Sequence, residues 1–265
     1  MREITLGQYY PADSLLHRLD PRVKFIGTIL YIVSLFIANT WYSYILCAVF
    51  LAACIALSKV PVRFMVRGLR SILFLLLFMM AINILFTPGE YLFSWKFLHV
   101  SKEGIAVALK MGVRLTFLVM GSSVMTLTTT PKQLTDAMER IFMPLRIFHV
   151  PVHEIAMMMS IALRFIPILM EETDKIMKAQ TARGADFESG GLIRRVKSMV
   201  PLLVPLFVSA FRRAGDLALA MEARCYHGGD DRTQMKPLLY GKRDYIAYAA
   251  LILYLAVLIL MRIFL

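Results

Sequence analysis

Two arginines occupy the same small-residue setting 41 positions apart. Ala179-Gln180-Thr181-Ala182-Arg183-Gly184 recurs as Ala220-Met221-Glu222-Ala223-Arg224-Cys225, so both copies read A-x-x-A-R-small. An arginine flanked by Ala and by Gly or Cys is sterically uncovered. Its planar guanidinium can therefore reach a carboxylate or backbone carbonyls in a pocket of another protein. Each copy ends a long helical pattern, the first running from about His153 and the second from about Leu192, and glycines follow: Gly190 and Gly191, then Gly228 and Gly229. Two equivalent helix tips suit a partner that is itself two-fold. The competing reading is a surface helix end where arginine only complements the helix dipole.

Other residues that could do chemistry are less organised. Glu171-Glu172 faintly suggests an acid pair of an intramembrane enzyme, but the apolar segments supply no His or Asp partners. The histidines, His17, His99, His149, His153 and His227, fall in predicted loops or helix ends, and Pro151 breaks the i,i+4 alignment of His149 with His153. Cys47, Cys54 and Cys225 have no paired spacing, which argues against a metal site or disulfide framework. Lys110 and Arg114 share one face of an apolar segment, and charges at membrane depth carry function by default. A self-sufficient secondary transporter is thus a second reading, although the pair lacks an acidic partner and suits a face packed on another subunit. No G-x-x-x-x-G-K-[ST] phosphate loop occurs, so any ATP hydrolysis belongs to another protein. Neither a catalytic group nor a bound cofactor is expected. Eighteen methionines, many of them between Met157 and Met221, read as core filling or as a surface that repacks against several partners.

The elements that must position the two tips follow from composition. The chain of 265 residues is 58% hydrophobic, carries 18% charged residues and has a mean hydropathy of +0.65. That balance describes a membrane protein. Asp20 and Pro21 resemble an N-cap and a first-turn proline, and the apolar run Phe25 to Ala38 behind them is the first span, with Arg22 and Lys24 expected to snorkel. Asn39 to Trp41 breaks it from a second span, Tyr42 to Leu57. A basic segment from Lys59 to Arg70 leads to a third, Ser71 to Phe86. After a loop to about Glu103, Ile105 to Thr126 makes a fourth, and Tyr245 to Met261 is the fifth. Thr130-Pro131 opens a different region, in which charges of both signs recur between apolar positions at helical spacing. Ile155 to Met170 is interrupted by Arg164 and Pro167, and Val200 to Phe211 is short and holds Pro201 and Pro205, so neither is counted as a span.

The expected fold is all-α: a polytopic membrane bundle of about five transmembrane helices with a cytoplasmic coupling domain of long amphipathic helices. Residues 1–127 form the N-terminal membrane portion, 128–243 the coupling helices and 244–265 the last transmembrane helix. The polar start, Met1 to Arg22, lacks a signal-peptide core, and the N-terminus is placed in the cytoplasm. Of the 30 Lys and Arg, four precede the first span, four lie in the Lys59 to Arg70 segment and seventeen fall between Thr128 and Arg243, whereas the outer loops expose only Lys96 and Lys102. The positive-inside rule accounts for that asymmetry, and the net charge of +12 needs no nucleic-acid partner.

These residues resemble the transmembrane coupling component of energy-coupling factor transporters. The resemblance spans nearly the whole chain: Leu19-Asp20-Pro21-Arg22 with Lys24, Thr135-Asp136-Ala137-Met138-Glu139-Arg140, Leu163-Arg164-Phe165-Ile166-Pro167 leading to Ala182-Arg183-Gly184, and Glu222-Ala223-Arg224. It implies a subunit in a prokaryotic plasma membrane that transmits motion from two ATP-binding cassette ATPase subunits to a small, exchangeable substrate-binding membrane subunit. The nutrient would be a vitamin or, second, cobalt or nickel. In the family, Ala-Arg-Gly tips sit in grooves of the ATPases. Carried over, the tips are Ala182, Arg183, Gly184 and Ala223, Arg224, Cys225, the last departing from the family's glycine.

Overall fold

The computed structural model describes residues 9–88, 90–95, 98–185, 187, 191–226, 228 and 237–264. Eight α-helices dominate: α1 (Pro21–Ile37), α2 (Trp41–Ser58), α3 (Val62–Phe86), α4 (Lys102–Thr128), α5 (Pro131–Phe142), α6 (Val152–Ala182), α7 (Leu192–Glu222) and α8 (Lys242–Phe264). The chain is an all-α polytopic membrane protein. Its one sheet among the described residues is a two-stranded antiparallel hairpin, β1 (Tyr91–Trp95) and β2 (Leu98–Ser101), in the segment expected as a plain loop.

Helix ends follow local chemistry. The Asp20 carboxylate accepts from the Arg22 N–H while Pro21 needs no donor, as anticipated for the start of α1. Thr130 and Gln133 cap α5 reciprocally, each side chain bonded to the other residue's backbone N–H. Lys59 ends α2 in the left-handed region. The basic segment that follows is helical and belongs to α3, which bends by 59° between Val62–Arg70 and Ile72–Phe86.

Among the described residues four helices, α2, α4, α6 and α8, are long and apolar enough to cross a membrane, and α3 is a fifth if its bent segments count as one span. The long helix expected from about His153 is α6, which continues through Arg164 and Pro167 for 31 residues; its Ile155 to Met170 stretch, not counted as a span in the sequence, lies in a helix whose length and composition suit a crossing. At 17 residues, α1 lies at the short limit for a spanning helix. Bulky apolar side chains such as Phe36, Phe74 and Phe86 stand on the exterior. In water such faces would drive association, whereas against lipid they are at rest.

The described residues divide into two compact units. One draws on Gly7–Ala137 and Lys236–Leu265. Within it α4 packs on α1, α2 and α3, and α8 packs on α1 and α2, around a core that includes Tyr31, Leu35, Cys47, Leu51, Leu127, Tyr254 and Leu258. The Tyr254 ring stacks on Phe50 at 4.2 Å, and its hydroxyl lies 2.7 Å from Ser34 Oγ and 3.1 Å from Cys47 Sγ. A buried hydroxyl so partnered adds directionality to an otherwise apolar seam. Arg114 Nη2 donates to the Ala38 carbonyl at the end of α1, so this intramembrane cation caps a helix.

The expected snorkelling of Arg22 and Lys24 is corrected by this unit. Lys24 is 8% exposed, and its ammonium donates to the Thr128 carbonyl (2.9 Å) at the end of α4 and to the His17 carbonyl (3.3 Å). Arg22 grips the Asp20 carboxylate through Nε (3.0 Å) and Nη2 (2.7 Å), donates to the Leu238 carbonyl and lies over the Tyr240 ring. Asp244 accepts from the Asp20 N–H at 2.8 Å. Carbonyls and N–H groups at helix ends lack helical partners, and these side chains supply them.

Candidate functional site

The other unit draws on Met138–Met235 and contains α6 and α7, each 31 residues long. They pack on each other. The Arg213 Nη2 donates to Glu172 Oε2 at 3.1 Å, and the Gln180 Nε2 donates to the Pro201 carbonyl at 3.4 Å. Residue numbers rise along α6 as they fall along α7, so the helices run antiparallel. The ends carrying Arg183 and Arg224 therefore lie at opposite ends of the pair, roughly 35 Å apart along α7 at about 1.5 Å per residue.

Both ends close in the same way. At the first, the Ala185 N–H bonds to the Gln180 carbonyl (3.0 Å) and the Gly184 N–H to the Thr181 carbonyl (3.0 Å). At the second, Tyr226 bonds back to Met221 (3.0 Å) and Cys225 to Glu222 (2.9 Å). These are the 6→1 and 5→2 bonds of a Schellman closure, shifted by 41 residues. Such a closure demands one left-handed residue. It is Gly184, with φ +88°, in the first copy, and Cys225, with φ 56°, in the second. Cys is tolerated there at a conformational cost that Gly avoids.

The closure leaves Arg183 and Arg224 at equivalent places just before the left-handed residue. Both are exposed, and among the described residues neither makes an ion pair or hydrogen bond through its guanidinium. Ala182 and Ala223 beside them are also exposed, so both cations stay open among the described residues. The structure assembles Ala182, Arg183 and Gly184 at one tip and Ala223, Arg224 and Cys225 at the other, and it does not bring the two triplets together. Gly191 directly precedes α7 as expected, while Gly190, Gly229, His227 and Lys96 lie outside the described residues.

Residues considered for catalysis are engaged otherwise. Glu172 pairs with Arg213, and His153 Nδ1 lies 2.8 Å from Glu139 Oε1. His149 adopts a left-handed turn before Pro151, off the axis of α6. Sequence reading missed the bonds of Gln180 and Glu172 to α7. The available signal was Pro205: with no N–H, it leaves the Pro201 carbonyl short of its helical donor. Along α7, Val204, Phe207, Val208 and Phe211 are exposed at i, i+3, i+4 and i+7, forming one apolar stripe.

Residues 12–236 match the family model described as cobalt transport protein. A protein of Clostridium kluyveri is 53% identical over 99% of this chain and 98% of its own length. Another from Ruminiclostridium cellulolyticum is 51% identical over 98% of both chains, and one from Bacillus subtilis is 46% identical over 99% of both. All three are called energy-coupling factor transporter transmembrane protein EcfT, a name for a transporter component and not for an enzyme. With a family model covering most of its length and full-length relatives at about half identity, the chain belongs to the CbiQ family, among the transmembrane proteins of energy-coupling factor transporters.

Proposed function

We propose that this chain couples ATP hydrolysis by two partner ATPase subunits to uptake of a vitamin or similar micronutrient bound by a separate membrane subunit. The observation that carries the reading is the repeated Schellman closure, which presents Arg183 and Arg224 identically at opposite ends of an antiparallel helix pair. One ATPase subunit takes Ala182-Arg183-Gly184 and the other Ala223-Arg224-Cys225. In a groove, each guanidinium meets a carboxylate or carbonyl fork with up to five donors in fixed geometry. ATP stays on the partners, and the chain binds no cofactor.

In this reading residues 128–243 are cytoplasmic coupling helices, and the N-terminus faces the cytoplasm. When the ATPases close on ATP, their grooves approach and draw the two tips with them. The helices bend or shift at Pro167, Pro201 and Pro205, where the backbone ladder lacks bonds. Motion passes to a substrate-binding subunit lying against the stripe of Val204, Phe207, Val208 and Phe211. The family description points to cobalt, but selectivity resides on the separate subunit, and a vitamin is the substrate proposed.

The test is detergent extraction of the tagged chain from its native membrane, with identification of what co-purifies, for wild type and for Arg183→Ala/Arg224→Ala. Truncating an interfacial charge that is buried and hydrogen-bonded costs about 2 to 5 kcal/mol. Two ATP-binding subunits and a small hydrophobic protein are expected with wild type, and the ATPases should be lost from the double variant. Full transport by the double variant refutes the docking role of the tips.

A further inference from the structure

A cleft of about 570 Å³ opens where α1 and α8 begin. His17, Arg18, Gln133, Leu239, Lys242 and Arg243 are among the residues that line it, as are Asp20 and Asp244. The two carboxylates are already engaged. Asp20 holds Arg22 by two bonds, and Asp244 accepts from the Asp20 N–H and the Gly241 N–H, each at 2.8 Å. Arg18 pairs with Asp13. Both His17 ring nitrogens are occupied, one by Ser14 Oγ and one by the Tyr10 carbonyl. Lys242 and Arg243 are left: both are exposed, and among the described residues neither makes an ion pair. Gln133 uses its Oε1 on the Thr130 N–H, and among the described residues its amide NH2 has no acceptor.

The position of these donors identifies what they meet. Lys242 and Arg243 open α8, a 23-residue helix long and apolar enough to cross a membrane, so they stand where it leaves hydrocarbon. Leu239 (79% exposed), Tyr245 (65%) and Ile246 (68%) flank them in the chain. Apolar surface beside a pair of unneutralised cations fits an amphiphile with an anionic head, and tyrosine at that depth marks the interface. A free phosphate would use the cations and leave Leu239 and Ile246 without a role.

We propose that this cleft is a binding site for the phosphodiester headgroup of an acidic phospholipid. Arg243 offers a two-pronged donor and Lys242 a point charge to the phosphate, Gln133 donates from the same lining, and the acyl chains run along Leu239 and Ile246. A zwitterionic headgroup brings its own ammonium against the arginine and is disfavoured. The proposal does not depend on the role of the two helix tips.

The experiment uses the full chain in nanodiscs of equal phosphatidylglycerol and phosphatidylcholine, with native mass spectrometry of retained lipid. Wild type should keep one phosphatidylglycerol. Lys242→Gln/Arg243→Gln should reduce its retention at least about tenfold, since each basic residue near a membrane surface contributes about 1 kcal/mol. Arg262→Gln, at the far end of α8, should leave retention unchanged. Equal retention by wild type and the double variant overturns the site, as does an equal loss in Arg262→Gln. A second arm measures unfolding of wild type in phosphatidylcholine alone. Stabilisation by inorganic phosphate as large as that by phosphatidylglycerol would assign the cleft to a soluble anion and overturn the lipid.

Discussion

Gln180 of α6 donates to the carbonyl of Pro201 in α7, an oxygen that its own helix leaves unsatisfied because residue 205 is proline. In an unbroken helix the N–H four residues on would fill that role. A side chain of the first arginine motif thus repairs a gap in the helix that carries the second. Proline at 205 weakens α7 internally and ties it to α6, so two helices whose ends are far apart respond as a pair.

That dependence is measurable by a double-mutant cycle. Gln180→Ala should destabilise the α6–α7 pair by about 0.5 to 1 kcal/mol, the net worth of one hydrogen bond. Pro205→Ala restores the missing N–H and makes Gln180 redundant. In the Pro205→Ala background, Gln180→Ala should therefore cost measurably less in thermal unfolding of the reconstituted chain. Equal costs in both backgrounds would show that the contact carries no coupling.

The left-handed residues at the tips give a paired prediction of opposite sign. A Cβ at Gly184 would meet nothing within 4 Å, so Gly184→Ala tests backbone conformation alone. It should loosen the first tip by about 1 kcal/mol. Cys225→Gly should tighten the second by a similar amount, because Cys225 already holds a positive φ. Hydrogen exchange at the amides of residues 184–185 should accelerate in the first variant, and exchange at 225–226 should slow in the second.

How far these features were legible depends on the range of the interaction that fixes them. The start of α1 at Asp20-Pro21 and the cap at Thr130 were readable because a cap is complete within four residues. The equivalence of Arg183 and Arg224 was readable from an internal repeat, although the bonds that make them equivalent were not. Arg22 and Lys24 were misread, since a cation beside an apolar run suggests snorkelling when its partners are unseen. Two of those partners, the Leu238 and Thr128 carbonyls, lie 216 and 104 residues away in sequence. In the sequence Ile155 to Met170 is not counted as a span because Arg164 and Pro167 interrupt its apolar run, yet α6 is long and apolar enough over Val152–Ala182 to cross a membrane, since one cation and one proline dilute a 31-residue helix only slightly. The hairpin of β1 and β2 was hidden because strands of five and four residues are too short for alternation to register.

Within the membrane unit, Gly121 of α4 sets how closely that helix approaches α1. A Cβ there would fall 2.6 Å from Cε1 of the Tyr31 ring, which is itself buried at 4% exposure. The ring is held between α4 and the Phe50–Tyr254 stack and has little room to withdraw. Gly121→Ala should therefore destabilise by about 1 to 3 kcal/mol, the usual range for overpacking a filled core. Tyr31→Leu in the same chain should recover part of the loss. Unfolding in detergent, followed by accessibility of the buried Cys47 thiol, reports both effects.

The base of the bundle offers the largest predicted loss. The Asp20 and Arg22 side chains are 3% and 12% exposed, and their shortest contact is 2.7 Å. Removing one partner strands a buried charge, which costs about 3 to 5 kcal/mol. Asp20→Ala should thus be severely destabilising, through Arg22 and through the lost cap of α1. Asp20→Asn separates the two effects: it retains an oxygen for the Arg22 N–H but removes the countercharge. If the cap dominates, Asn should restore most of the stability; if the ion pair dominates, Asn should behave almost as Ala. The short bidentate geometry and deep burial favour the second outcome, and thermal unfolding of the three chains in one detergent decides between them.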